Sequence, residues 1–177
     1  MVLSHGAGEN PEAIDLLMHA FAELAHERPG ATLLLLGRFE EGARDRLGET
    51  TSNLGLSDSI RLVGQLEGAD YWRTLAGADV AAELRTSSDG EASASVCDCL
   101  AARIPTIVSA VGWLGELPSP AVCHVPRECA PGELADAIRR VVDEPDLRER
   151  IRAAQDEYAA ANSYERVAER YAELLEV

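Results

Sequence analysis

The chain has 177 residues with 31 acidic and 16 basic side chains, a formal net charge of −15; the length suits one domain, and without a basic cluster the acidity opposes binding to nucleic acid or anionic lipid. Hydrophobic residues make up 46% and charged residues 27%, close to a globular average, and no stretch approaches the roughly 18 apolar residues of a membrane span. Residues 1–13 lack the basic and long apolar regions of a secretion signal, which predicts a cytoplasmic protein.

In chain order, residues 1–4 read as a strand, followed by a small-residue turn at His5, Gly6, Ala7 and Gly8. A helix is predicted from Pro11 to Glu27: Asn10 suits the N-cap, Pro11 the first helical position, and Ile14, Leu17, Met18, Phe21, Leu24 and Ala25 recur at helical spacing. Arg28, Pro29 and Gly30 stop it. The run from Ala31 to Gly37 is apolar without alternation, the pattern of a strand covered on both faces of a parallel sheet. There follow a charged helix (about 40–53), a strand (59–63), a short helix (69–76) and a strand (79–84). A polar loop from Arg85 to Gly90 leads into a helix predicted from Glu91 to about Ala102, with a strand at 105–109 behind it. After a last short strand, 121–125, three helices are predicted at 131–143, 146–160 and 164–175.

Six strand segments interleaved with helices and closed by a helical tail predict an open, doubly wound α/β sheet. No repeat, low-complexity tract or linker interrupts it, so residues 1–177 are expected to form one domain. Cys97, Cys99, Cys123 and Cys129 lack the paired spacing of a structural zinc site and are expected to be buried or half-buried free thiols.

Ligands of such sheets bind beyond the carboxyl ends of the strands, which directs attention to the loops 5–10, 37–40, 64–68 and 85–92. Gly6 and Gly8 open a G-x-G, but Pro11 stands where a dinucleotide fingerprint needs its third glycine, and no acid ends the next strand. Neither a P-loop nor a G-x-S-x-G elbow is present. The strongest constellation runs from Ser87 to Asp98, small residues leading into a helix whose first amides could hold a phosphate. Glu91 and Asp98 are seven apart, which on a helix puts both carboxylates on one face, able to accept from sugar hydroxyls. The alternative is that Glu91 complements the helix dipole and Asp98 faces solvent. His5 reads as a solvated loop residue, His19 and His26 as surface residues, and Trp113 as a packing residue.

The order and wording of several segments together resemble the C-terminal, donor-binding half of a retaining glycosyltransferase of the GT-B fold, of the group 1, family 4 type. They are Ala13-Ile14-Asp15-Leu16-Leu17, Leu34-Leu35-Leu36-Gly37, Ile60-Arg61-Leu62-Val63-Gly64, Ala76-Gly77-Ala78-Asp79-Val80, Gly90-Glu91 through Asp98-Cys99-Leu100-Ala101-Ala102, Ile104-Pro105-Thr106-Ile107-Val108, Val111-Gly112 with Glu116-Leu117, and Ser163-Tyr164-Glu165-Arg166-Val167-Ala168. The resemblance covers nearly the whole chain. It implies a Rossmann-like domain that binds a nucleotide diphosphate sugar and serves a hexosyl-type transferase, inactive without an N-terminal acceptor half that this sequence lacks. No metal is required by the sequence, since no D-x-D sits in a site loop, and no cofactor is expected beside the donor; membrane association is expected only through the absent half, and the oligomeric state is left open.

Carried over by position, the resemblance puts Asp98 on the ribose, while the sugar-contacting position falls on Gly90, with Glu91 one residue later as the catalytic carboxylate. Gly64 and Gln65 would meet the nucleobase, Ser93 and Ala94 the phosphates through their N–H groups, and Gly6 the donor from the first loop. The cations of the family pattern are replaced by Ala7 and Glu12, so Arg85 and Arg38 are the expected substitutes. Two other readings remain: a degenerate domain serving as an interaction module, and a sugar-nucleotide epimerase of similar fold.

Overall fold

The computed structural model describes residues 1–6, 10–40 and 42–175. Its elements are β1 (Val2–Ser4), α1 (Pro11–Glu27), β2 (Leu33–Leu36), α2 (Ala43–Asn53), β3 (Ile60–Val63), α3 (Gly68–Ala76), β4 (Val80–Glu83), α4 (Ala94–Ala101), β5 (Thr106–Ser109), α5 (Gly112–Glu116), β6 (Cys123–Val125), α6 (Pro131–Asp143), α7 (Pro145–Ala161) and α8 (Tyr164–Leu175). The predicted α1, α6 and α8 coincide with the observed ones. In α1 the reason is local: the Asn10 side chain accepts from the Ala13 N–H at 3.3 Å and Pro11 occupies the first helical turn. Asn10→Ala is expected to cost about 1 kcal/mol in a denaturant titration; an unchanged midpoint would mean that packing alone holds the helix start.

Among the described residues the strands form one parallel sheet in the order β3-β2-β1-β4-β5-β6. It is covered on both faces, and alternate residues of one strand enter different cores. Leu33 and Leu35 of β2, Val80 and Ala82 of β4, and Ile107 of β5 join the core built with α1 and α6. Leu36, Ala81 and Leu3 face the other way, against Leu75 of α3 and Cys99 of α4. A third cluster joins Val108 to Val96, Leu100, Leu114 and Leu117, with Trp113 packed against it as expected. This two-sided burial accounts for the unalternated Leu33–Leu36 run, all four residues of which are buried.

Two stretches differ from the prediction. The helix expected from Glu91 starts at Ala94, because Gly90 turns the chain at φ +92° and Ser93, the N-cap, is still extended. Glu91 therefore lies in the loop, and the expectation that Glu91 and Asp98 share one helix face is corrected. The segment between β5 and β6, to which no element is assigned from sequence, contains the short helix α5. Cys99 and Cys129 are buried and Cys123 partly so, whereas Cys97 is exposed on α4, contrary to expectation, because it is turned away from the Val96, Cys99 and Leu100 stripe.

Candidate functional site

Strand order reverses at β1, whose neighbours are β2 and β4, and helix crossovers on either side leave a crevice where the chain ends of β1 and β4 separate. A cleft of about 500 Å³ opens there, lined by His5 and Gly6 after β1, Arg38 after β2, and Glu83, Arg85, Glu91, Ser93 and Ser95 along the segment from β4 into α4. Of the residues singled out from sequence, the structure brings Gly6, Arg38, Arg85, Glu91 and Ser93 to this cleft. Gly64, Gln65, Gly90, Ala94 and Asp98 are not among the described lining residues. Gln65 remains linked to it, since its Oε1 accepts from Arg38 Nε at 3.2 Å. Ala94 is the first residue of α4, directly after the lining Ser93. Ala7 and Gly8 lie outside the described residues; Glu12 is exposed in the first turn of α1, and His19 and His26 are exposed, as expected.

The loop between β4 and α4 is organised around Glu91. Its carboxylate pairs with the Arg85 guanidinium and accepts from the Asp89 N–H at 2.8 Å and from the Ser88 hydroxyl at 3.4 Å. The Ser88 oxygen in turn accepts from the Gly90 N–H at 3.1 Å. The Arg85 N–H donates to Ser109 Oγ at 3.0 Å, tying the loop to the end of β5. Arg85 and Arg38 thus present two guanidinium groups to the cleft, one held by a carboxylate and the other by an amide oxygen.

Asp98 accepts from the Tyr71 hydroxyl at 2.8 Å, and the Tyr71 ring meets the His5 ring edge-on with centroids 5.8 Å apart. Burial first, then the bond to Asp98, holds the Tyr71 hydroxyl well above the usual phenol range, so it stays a donor.

One residue lining the cleft, Glu83, was not recognised in the sequence, and its partner His5 was read as solvated. Glu83, at the end of β4, is only 6% exposed, and its Oε1 accepts from His5 N–H at 3.0 Å and lies 2.8 Å from His5 Nδ1, while Oε2 accepts from Ser95 Oγ at 3.0 Å. His5 is accordingly a half-buried structural partner, which corrects its reading as a solvated loop residue. The available signal was a carboxylate closing the apolar run Val80–Glu83, because a charge in a strand covered on both faces must be paired. His5, Glu83 and Cys99 bring a nitrogen, an oxygen and a sulfur within 4.8 Å of one another. They fit a metal poorly: burial, then Glu83 and Asp98, push the Cys99 thiol well up, and Glu83 already accepts on both oxygens.

A parallel sheet of this order, with a polar cleft at its strand-order reversal, defines a Rossmann-like domain of the kind found in one half of a GT-B fold. The chain belongs to the glycosyl transferases group 1 family, whose sequence profile matches residues 1–158. Among solved structures it is similar to Anabaena HepE in complex with UDP-glucose (19% identity, TM-score 0.82, covering 99% of this chain and 48% of that one). It is also similar to a glycosyltransferase from Rickettsia africae ESF-5 (18%, TM-score 0.81, covering 98% and 46%). A third is the C-terminal domain of the group 1 family protein LpcC from Francisella tularensis (13%, TM-score 0.71, covering 91% and 85%). The chain thus spans about half the length of HepE and of the Rickettsia enzyme. No curated protein matches it. Among the described residues, no helix is long and apolar enough to cross a membrane.

Proposed function

We propose that this domain binds the nucleotide diphosphate sugar of a glycosyltransferase, with the sugar transferred to an acceptor held by a second, N-terminal domain. The observation that carries this reading is the convergence of Arg38 and Arg85 on the cleft at the strand-order reversal, beside the start of α4. Departure of a nucleoside diphosphate develops negative charge on the β-phosphate, and preorganised cations and amides aimed at that charge lower the barrier. Arg85 and Arg38 supply the cations, and the N–H groups at Ser93 and Ala94 the dipole end of α4. HepE, similar in fold, is described in complexes with UDP and with UDP-glucose, which favours a hexosyl donor.

In this reading the Arg85–Glu91 pair opens when phosphate arrives. The anion takes the guanidinium, and the freed Glu91 carboxylate turns to the donor sugar. Asp98 takes the Tyr71 hydroxyl on Oδ2 and can offer its other oxygen to the ribose, and Gln65 brings Arg38 towards the base side of the cleft. The donor itself carries the group transferred, so no cofactor is called for, and Arg38 and Arg85 supply the charge that a metal would otherwise bring to the diphosphate. A cytoplasmic site of action accords with such a donor, and catalysis is expected only with the acceptor domain present.

Calorimetric titration with UDP, GDP and ADP and their sugar conjugates, with and without magnesium, tests this. Micromolar binding of one base series is expected; no binding up to several millimolar would favour a degenerate domain. Arg85→Ala is expected to weaken the diphosphate about tenfold, as for a lost charge-assisted hydrogen bond, while leaving the nucleoside unaffected. Equal weakening of both ligands would instead make Arg85 a packing residue.

A further inference from the structure

We infer that Glu83 is a positioning residue: its buried carboxylate clamps the turn after β1 and the first turn of α4 to the end of β4, and so sets the shape of the cleft. The register explains why a side chain does this. Strands β1 and β4 pair at Val2↔Val80 and Leu3↔Ala81, and the ladder stops there. Continued two residues further, the same register sets His5 opposite Glu83, at the level where the strands part to open the crevice. Backbone pairing is replaced at that level by the Glu83 side chain, which accepts from the His5 N–H itself at 3.0 Å.

The chemistry of the bonds is specific. A carboxylate only accepts, so the proton shared with His5 lies on Nδ1, which fixes the tautomer and the plane of the imidazole. His5 Nε2 is buried with no hydrogen-bond partner among the described residues. The second oxygen takes the Ser95 hydroxyl, and Ser95 also meets Ser93, the N-cap of α4, at 3.1 Å. Three chain segments, the turn after β1, β4 and the start of α4, therefore converge on one carboxylate. The functional consequence rests on the cleft being the donor site, whereas the clamp itself does not.

The test compares the full chain with Glu83→Gln, whose carbonyl still accepts from His5 and whose amide can donate to Ser95, and with Glu83→Leu, an apolar residue suited to a buried strand. Nitrogen chemical shifts of the histidine rings, assigned by loss of the His5 signals in His5→Gln, report the proton. Nδ1 is expected to be protonated in the wild type and in Glu83→Gln, and to lose its proton to Nε2 in Glu83→Leu. The amide resonances of Gly6, Ser93 and Ser95 are expected to hold in the first variant and shift in the second. UDP affinity, or that of whichever nucleoside diphosphate the wild type binds, is expected to stay within about threefold in Glu83→Gln and to fall at least about tenfold in Glu83→Leu. An unprotonated Nδ1 in the wild type, or unshifted Gly6, Ser93 and Ser95 amides in Glu83→Leu, would overturn the clamp. Wild-type affinity in Glu83→Leu would overturn its role in the cleft. A wild type that binds no nucleotide, with the ring and amide signals behaving as expected, would overturn the donor-site reading and leave the clamp standing.

Discussion

Phe21→Ala is expected to lower the stability of the domain by about 3–5 kcal/mol, the range for truncating a fully buried phenylalanine. Phe21 is wholly buried at the centre of α1, in the core that joins Ile14, Leu17, Met18 and Leu24 to Leu33 and Leu35 of the sheet and to Leu134 and Ile138 of α6. Removing the ring withdraws apolar area and leaves a void between two helices and a sheet that cannot all close on it. For a chain of this size the loss corresponds to a fall in Tm of about 6–20 °C. Phe21 does not line the cleft, so the folded variant should bind nucleotide as the wild type does when both are measured well below their transitions. A loss under about 1 kcal/mol would show that α1 and α6 close over the void, and would refute the tight packing described here.

Gly112→Ala is expected to cost about 2–4 kcal/mol and, unlike Phe21→Ala, to weaken ligand binding in the folded state. Gly112 starts α5 with φ +51°, a conformation that costs an alanine about 1 kcal/mol. A Cβ there would also run into Ser88 Oγ and Cβ, well inside contact distance, and such overpacking costs about 1–3 kcal/mol. Ser88 cannot swing aside freely, because its hydroxyl accepts from the Gly90 N–H and donates to Glu91, which holds Arg85. The substitution thus pushes on the loop that presents Arg85 to the cleft. In a Ser88→Gly background, where the lost Ser88 bonds are common to both variants, Gly112→Ala should cost only the backbone strain, roughly 1 kcal/mol. An equal cost of Gly112→Ala with and without Ser88 would show that the two residues do not collide.

The acidity of the chain and the polarity of the cleft act at different ranges. The formal charge of −15 discourages anionic partners at a distance, but screening confines that effect to about 8–10 Å in physiological salt. Arg38 and Arg85 both line the cleft, so the net charge of the whole is no objection to the phosphorylated ligand proposed for it. The sharper objection, the acidic Glu12 where the family pattern carries a cation, loses force because Glu12 is exposed on α1 and is not among the described residues lining the cleft.

What the sequence determined by itself was the succession of elements and, through it, the fold. The Leu33–Leu36 run reads as a doubly covered strand, the stripe from Ile14 to Leu24 as one face of a helix, and Asn10 with Pro11 as its start. These are local properties of periodicity and capping, carried by residues within a few positions of one another, and they survive without knowledge of neighbours. Arg38, Arg85 and Glu91 stand in loops that the sequence marks, because the carboxyl ends of parallel strands are where such sheets leave room, and the structure brings them to the cleft. Only the tertiary structure decided the partners. His5 and Glu83 are 78 positions apart, Tyr71 and Asp98 27 apart, and Ser88 and Gly112 meet from loops after different strands. Which strand lies beside β1 is set by the packing of both cores at once, and a buried charge or a crowded glycine takes its meaning from that neighbour.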